Sequence, residues 1–223
     1  MDQPALAAAW RALAPTGVAV EVMEYSASAV PGGAAEQAAT LAMDLERRLE
    51  FLSGRRCARR ALAALGVSAI DLPIAPDRGT QWPAGIVGSI THTRSPRGSW
   101  AVAAVARSAN LSALGIDLEC CELLDASAWD MVLTGAEREH IRAVATWLRA
   151  DEASRIWCAK EAAIKAARGV TEPSAVQIHL SSDNHFHASK QPALGEPRAA
   201  GWELEGRSQV FQGYALAVAY RCA

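Results

Sequence analysis

The segment "GVAVEVMEY" at 17–25 alternates apolar and polar side chains and is rich in valine, a pattern that predicts a strand. Before it, residues 1–15 read as a short helix or a frayed leader, and "SASAVPGGAAEQ" after it reads as a loop. Through residues 36–65 the apolar positions Leu41, Leu45, Leu49 and Leu52 recur at helical intervals. Gly54 is expected to break this stretch, with a second helix through "RCARRALAALG" that Gly66 ends. "LPIAPDRGTQWPAG" at 72–85 is a Pro/Gly-rich loop. "GIVGSITHT" and "SWAVAAVAR" then read as two strands joined by the turn "RSPRG", and "LGIDLEC" at 114–120 as another. Residues 134–169 carry a helical pattern, with Thr134 and Glu137 spaced as a capping box. "SAVQIHLSS", "HFHAS", "GWELEG" and "GYALAVAYR" close the chain as a run of strands.

The order is strand, helix, strands, and then the same again, with the Gly-led strands "GSWAVAAVAR" and "GYALAVAYR" ending each half. This predicts an α+β fold of two lobes, residues 1–110 and 111–223; one continuous sheet is the alternative. The 223 residues are 51% hydrophobic and 21% charged, the balance of a soluble globular protein. A formal net charge of −2 gives no bulk attraction to nucleic acid, so no nucleic-acid partner is expected. The longest apolar run, "WAVAAVA" at 100–106, is too short to span a bilayer, and no membrane partner is expected either. The five cysteines form no CxxC pair and read as reduced thiols. Asp2 and Arg11 flank the first apolar run in the wrong charge order for a secretory signal, so a cytoplasmic location is expected.

Three charged groups remain to be explained. Asp117 and Glu119, two apart in a predicted strand, leave the same face, where their charges repel unless a cation lies between them. Such hard oxygen donors suit Mg²⁺, and a solvated strand edge is the plainer reading. In "WCAKEAAIKAARG" at 157–169, Trp157, Glu161 and Lys165 fall on one helical stripe with Lys160 beside it. This is either a surface ion pair or a third carboxylate with a lysine one turn on. "RRLEFLSGRRCARR" at 47–60 holds six arginines in fourteen residues, either a solvated helix face or a grip on several phosphates. His92 ends a strand in "GSITHTR", where Gly88 and Ser89 permit close approach of a ligand. His185 and His187 share a strand face, and a polar hairpin is preferred there over a metal site.

"GSITHT", "GIDLE" and "WCAKEAAIKA", in this order and at these gaps, resemble the 4′-phosphopantetheinyl transferases of the surfactin/enterobactin type. "FLSGRRCARRALAALGV" and "WPAGIVGSITH" are similar to the enterobactin-type branch in particular, and the resemblance covers roughly residues 45–170. It implies a pseudo-twofold monomer of two similar lobes, each a small antiparallel sheet packed with a long helix, with coenzyme A in the cleft between them. It implies an enzyme that moves the 4′-phosphopantetheine arm of coenzyme A to a serine of an apo acyl or peptidyl carrier protein. By the same resemblance, adenosine 3′,5′-bisphosphate is expected to be released and the holo carrier to serve polyketide, nonribosomal peptide or siderophore biosynthesis.

Carried over by motif, Asp117, Glu119 and Glu161 correspond to Mg²⁺ ligands, and Lys160 and Lys165 to phosphate-contacting lysines. His92 corresponds to a histidine at the coenzyme A phosphate, with Ser89 and Thr91 beside it. Arg48, Arg55 and Arg78 correspond to residues holding the 3′-phosphate and adenine end. Asp117, Glu161, Lys165 and His92 are the implied catalytic set. The chain departs from the pattern at "DRGTQWP", which lacks the Gly-Lys-Pro of surfactin-type members, and at Thr91 and Ala162, where serine is frequent. A non-catalytic module that binds coenzyme A or a carrier is the alternative, and a hydrolase that strips phosphopantetheine from carriers is a third possibility.

Overall fold

Asp2 starts the first helix, α1 (Gln3–Leu13), by accepting the Ala5 N–H on its carboxylate at 2.8 Å, and Leu6, Trp10 and Leu13 form its buried side. The computed structural model describes residues 2–122, 126–168, 171–181, 183–191 and 201–223. Its contacts divide the chain into two compact units, Met1–Leu114 with Cys222–Ala223, and Gly115–Arg221.

The first unit holds β1 (Ala19–Glu24), α2 (Ala34–Thr40), α3 (Leu45–Ala64), β2 (Ile86–Ser95) and β3 (Gly98–Arg107). The strands form an antiparallel sheet in the order β1-β3-β2. Because β3 lies in the middle, every residue from 100 to 106 is buried, which is why that run reads as continuously apolar. One face of the sheet packs on α3 through Ala101, Ala103 and Val105 against Cys57, Ala58, Ala61 and Leu62.

The break expected at Gly54 is absent: α3 runs through it, and the interruption falls at residues 41–44, where Asp44 caps the new helix by accepting the Arg47 N–H. A Cβ at Gly54 would lie 2.8 Å from Ile90 Cγ2. The glycine lets helix and sheet approach closely, and α3's burial against the sheet outweighs a helix penalty of about 1 kcal/mol. Because the helical register restarts at Asp44, Leu41 and Leu45 are exposed (79% and 71%), and the apolar stripe continues instead through Phe51, Leu52, Ala58, Ala61 and Leu62.

β4 (Leu111–Cys120) crosses from one unit to the other in sequence. The second unit continues with α4 (Trp129–Val132), α5 (Gly135–Ala143), α6 (Arg149–Ala167), β5 (Val176–Leu180), β6 (His185–Lys190), β7 (Trp202–Phe211) and β8 (Tyr214–Cys222). Its sheet runs β4-β8-β7-β6-β5. The β7–β8 turn has positive φ at both Gln212 (51°) and Gly213 (80°), the two-residue geometry that matches the twist of a hairpin.

The helical stretch expected over 134–169 is two helices. The capping box forms as expected, with Glu137 N–H donating to Thr134 Oγ1 at 3.3 Å and Thr134 N–H to Glu137 Oε2 at 2.7 Å. The chain then turns extended at Val144, and the Arg149 guanidinium donates to the carbonyls of Val144 (3.3 Å) and Arg142 (2.8 Å). That arginine satisfies acceptors that α5 leaves open at its end. Each unit is thus α+β, an antiparallel sheet with a long helix against it, α3 in the first and α6 in the second. Among the described residues, no helix is long and apolar enough to cross a membrane.

Candidate active site

Gly115, Asp117 and Glu119 share one face of β4, and α6 lies against that face. A Cβ on Gly115 would stand 2.0 Å from the Ala162 carbonyl oxygen and 2.5 Å from Ala166 N, so only glycine permits this approach. The glycine therefore fixes the distance between the strand's carboxylates and those of the helix. Ile116 and Leu118 on the other face are fully buried, and Asp117 itself is only 3% exposed. A solvated strand edge is excluded.

Around Asp117 the side chains act as one electrostatic group. The Lys165 ammonium donates to Asp117 Oδ1 at 2.5 Å. Burial opposes the lysine's charge, but Asp117 and then Glu161 outweigh it and hold the ammonium above its usual range. Burial, and then the Asp117 charge, push Glu119 up to about 7, although Lys165 and a hydrogen bond with Trp157 pull the other way. Glu161 is raised by burial and by Asp117, with Lys165 again opposing. Trp157, seen in the sequence only as an apolar member of the stripe, is thus a polar partner of Glu119.

Three carboxylates and one lysine leave an excess of negative charge in a poorly hydrated place, and the Asp117 charge raises the proton affinity of both Glu119 and Glu161. The donor set is all oxygen and hard, the chemistry that fits Mg²⁺. Among the described residues, no group of three His, Cys, Asp or Glu side chains is gathered closely enough to hold a metal ion as it stands. On Asp117, the position of a cation is taken by the Lys165 ammonium.

Lys160 is not part of this group. Its side chain is wholly buried and donates to Glu137 Oε2 (2.8 Å), the Pro173 carbonyl (3.0 Å) and the Val176 carbonyl (2.7 Å). Those three bonds use every donor that an ammonium has. Glu137, 4% exposed, also accepts from Thr134 N–H and from Ile178 N–H at 3.0 Å. The expected phosphate contact is therefore corrected to a buried ion pair that joins α5, α6 and the start of β5. The sequence stripe put Lys160 one residue round from Glu161, and that rotation is enough to turn it inward.

The arginines of 47–60 do not converge either. Arg55, expected at coenzyme A, is 6% exposed; it donates to the Leu72 carbonyl (2.8 Å) and Thr80 Oγ1 (3.0 Å) and covers the Phe51 ring at 4.5 Å. Burial brings its pKa down to about 10. Arg59 grips the fully buried Glu36 at 2.6 Å, and Glu36 also accepts the N–H groups of Gly32 and Leu72. Arg48 donates to the Thr40 carbonyl at the α2–α3 junction, and Arg60 faces Glu21 at 3.6 Å. Arg55 and Arg59 thus fasten other segments of the first unit to α3. Arg55→Ala is accordingly expected to cost about 3 kcal/mol of stability by stranding buried acceptors and losing ring contact, read as a lowered denaturant midpoint.

Arg47, which sequence reasoning passed over, is the arginine that reaches His92, with Nη1 3.1 Å from Nε2. Since a guanidinium only donates, Nε2 offers its lone pair there. Ser89 and Thr91 are buried and lie on the opposite sheet face from His92, as strand alternation requires, so their side chains do not join it. Arg78 is exposed in the 72–85 loop with φ of 66°. His187 stands 3.8 Å from Glu203 on an exposed face, and His185 lies on the same face.

Residues 35–106 match the family model of the 4′-phosphopantetheinyl transferase N-terminal domain, and residues 113–219 that of the 4′-phosphopantetheinyl transferase superfamily. The chain is 35% identical over 157 residues to the 4′-phosphopantetheinyl transferase Npt of Nocardia iowensis, covering 68% of this chain and 66% of that protein. It is 42% identical over 113 residues to Svp of Streptomyces mobaraensis, also a 4′-phosphopantetheinyl transferase (49% of this chain, 44% of that one). PptT of Mycobacterium tuberculosis, of the same description, is 38% identical over 123 residues, 54% of this chain and 51% of that one. The matched stretches thus span two thirds or less of these relatives' lengths. With family matches running from residue 35 to residue 219 and meeting the acidic group on β4 and α6, the chain belongs to the 4′-phosphopantetheinyl transferases.

Proposed function

We propose that this protein transfers the 4′-phosphopantetheine of coenzyme A to a serine of an apo acyl or peptidyl carrier protein. The observation that carries this reading is the Asp117–Glu119–Glu161–Lys165 group, one buried and two half-buried carboxylates with a lysine among them. Asp117, Glu119 and Glu161 would hold Mg²⁺, which when bound neutralises the pyrophosphate and stabilises charge on the phosphorus under attack. Glu161, whose proton affinity is already raised, takes the proton from the carrier serine. The serine oxygen bonds to phosphorus as the P–O bond to the adenosine 3′,5′-bisphosphate oxygen breaks. Lys165, partly exposed, turns from Asp117 to the oxygen of that departing group. Positioning and charge supply most of the acceleration, as in phosphoryl transfers generally.

His92 and Arg47, 3.1 Å apart, have the chemistry to take a phosphate oxygen. Lys160 and Arg55 are left out of ligand contact, because their donors are committed inside the protein. A reducing, cytoplasmic location is in keeping with four buried free thiols at Cys57, Cys120, Cys121 and Cys158.

The test is incubation with coenzyme A, Mg²⁺ and an apo carrier, followed by mass spectrometry of the carrier. A gain of one phosphopantetheine is expected. No gain, with coenzyme A bound, would make the chain a binding module; loss of the group from holo carrier would make it a hydrolase.

A further inference from the structure

Glu161 and Lys165 stand one turn apart on α6, and the lysine ammonium reaches across to Asp117 Oδ1 on β4 at 2.5 Å. All of these groups, with Glu119, belong to the second unit. The two partners of the ion pair differ in freedom. The Asp117 side chain is 4% exposed and fixed in the strand, whereas that of Lys165 is 33% exposed and hangs on a flexible four-carbon stem. The ammonium is therefore the partner able to leave. Asp117 and then Glu161 hold it charged against its burial, and it in turn lowers the proton affinity of Glu119 and Glu161. One lysine is thus the shared counter-ion of all three carboxylates.

A divalent cation entering this group competes with that ammonium for the same carboxylate. Two cations on one carboxylate repel, and burial leaves little water to screen them. As the side chains stand, no three acidic groups among the described residues gather closely enough to hold a metal ion, and the Asp117–Lys165 pair is the contact that has to open before they do. A pyrophosphate brought beside the group changes the competition. Its oxygens are anionic acceptors for a lysine ammonium, and the side chain can swing to them without moving the helix backbone. The carboxylate it leaves behind is then available to the metal.

We propose that Lys165 is a latch on the acidic group: paired with Asp117 it disfavours the divalent cation, and a phosphate of coenzyme A frees the carboxylate by drawing the ammonium to itself. This rests on the transferase reading above and adds the regulation of its site. Metal and co-substrate then bind cooperatively, and each raises the other's affinity by the same factor, as linkage requires. The resting chain holds the ion weakly, and the charged site assembles around the co-substrate.

Titration with Mn²⁺, the free ion followed by electron paramagnetic resonance, tests it on wild type and Lys165→Met, each without and with saturating coenzyme A. Thermal melts check that the variant folds, and Lys165→Gln replaces it if it does not. Without coenzyme A, the variant is expected to bind Mn²⁺ about tenfold more tightly than wild type, a factor typical of coupled sites. Coenzyme A should then tighten Mn²⁺ about tenfold or more in wild type, and by a clearly smaller factor in the variant, where only direct contact between ion and phosphate remains. Equal or weaker Mn²⁺ binding by the variant without coenzyme A would overturn the latch. So would an equal effect of coenzyme A on both proteins, and the transferase reading survives either result, since carrier mass tests it separately. Mn²⁺ held by neither protein, even with coenzyme A, would sink the cation site and the latch with it.

Discussion

Glu161→Gln should cut transfer about a thousandfold, the range lost when a positioned acid or base is removed, with the fold intact. Burial and the Asp117 charge already make the Glu161 carboxylate costly to ionise, so a neutral amide of the same shape relieves repulsion. Activity and stability should therefore part company: phosphopantetheine transfer, followed by carrier mass, collapses while the melting temperature holds or rises. Asp117→Ala should abolish transfer to a similar extent by a different route, since it releases Lys165 from its carboxylate and leaves that ammonium to Glu161 and Glu119. Turnover near wild type in either variant would remove that residue from the mechanism.

The second large effect is on stability. Lys160→Met should lower the unfolding free energy of the second unit by about 3–5 kcal/mol, because it leaves Glu137 as a buried charge without its cation. Adding Glu137→Gln to that variant should recover part of the loss, as no orphan charge remains while the Thr134 and Ile178 N–H groups keep an acceptor oxygen. Denaturant unfolding of the two variants measures both steps. A Lys160→Met protein as stable as wild type but weakened toward coenzyme A would restore the phosphate contact that the buried geometry argues against.

Much of the fold is legible because periodicity reports burial. The alternation of β1, the capping box at Thr134 and Glu137, and the apolar run of β3 all survive as read. The misreadings share one cause, the role of tertiary contact in deciding what a local signal means. Gly54 and Gly115 are both close-approach residues, and a sequence does not say whether a glycine breaks a helix or admits a neighbour. Arg149 ends α5 from the far side of a turn, through carbonyls it reaches only after the chain has bent.

The candidate site divides the same way. Strand spacing puts Asp117 and Glu119 on one face and helix spacing puts Glu161 and Lys165 on one stripe, but the meeting of β4 with α6 depends on Gly115, which spacing does not reveal. The arginines were not legible, since their direction depends on loops that touch α3 from elsewhere: Glu36 claims Arg59, and the Leu72 carbonyl and Thr80 claim Arg55.

Transfer as proposed requires the acidic group of β4 and α6 to bind a divalent cation. Titration of the protein with Mn²⁺ in the presence of coenzyme A, following the free ion by electron paramagnetic resonance, addresses it without reference to turnover; Mn²⁺ shares the oxygen-donor, octahedral preference of Mg²⁺. One tightly held ion per chain is predicted for wild type and for Arg55→Lys, and none for Asp117→Ala. Retention of that ion in Asp117→Ala, or its absence from wild type, would contradict the account.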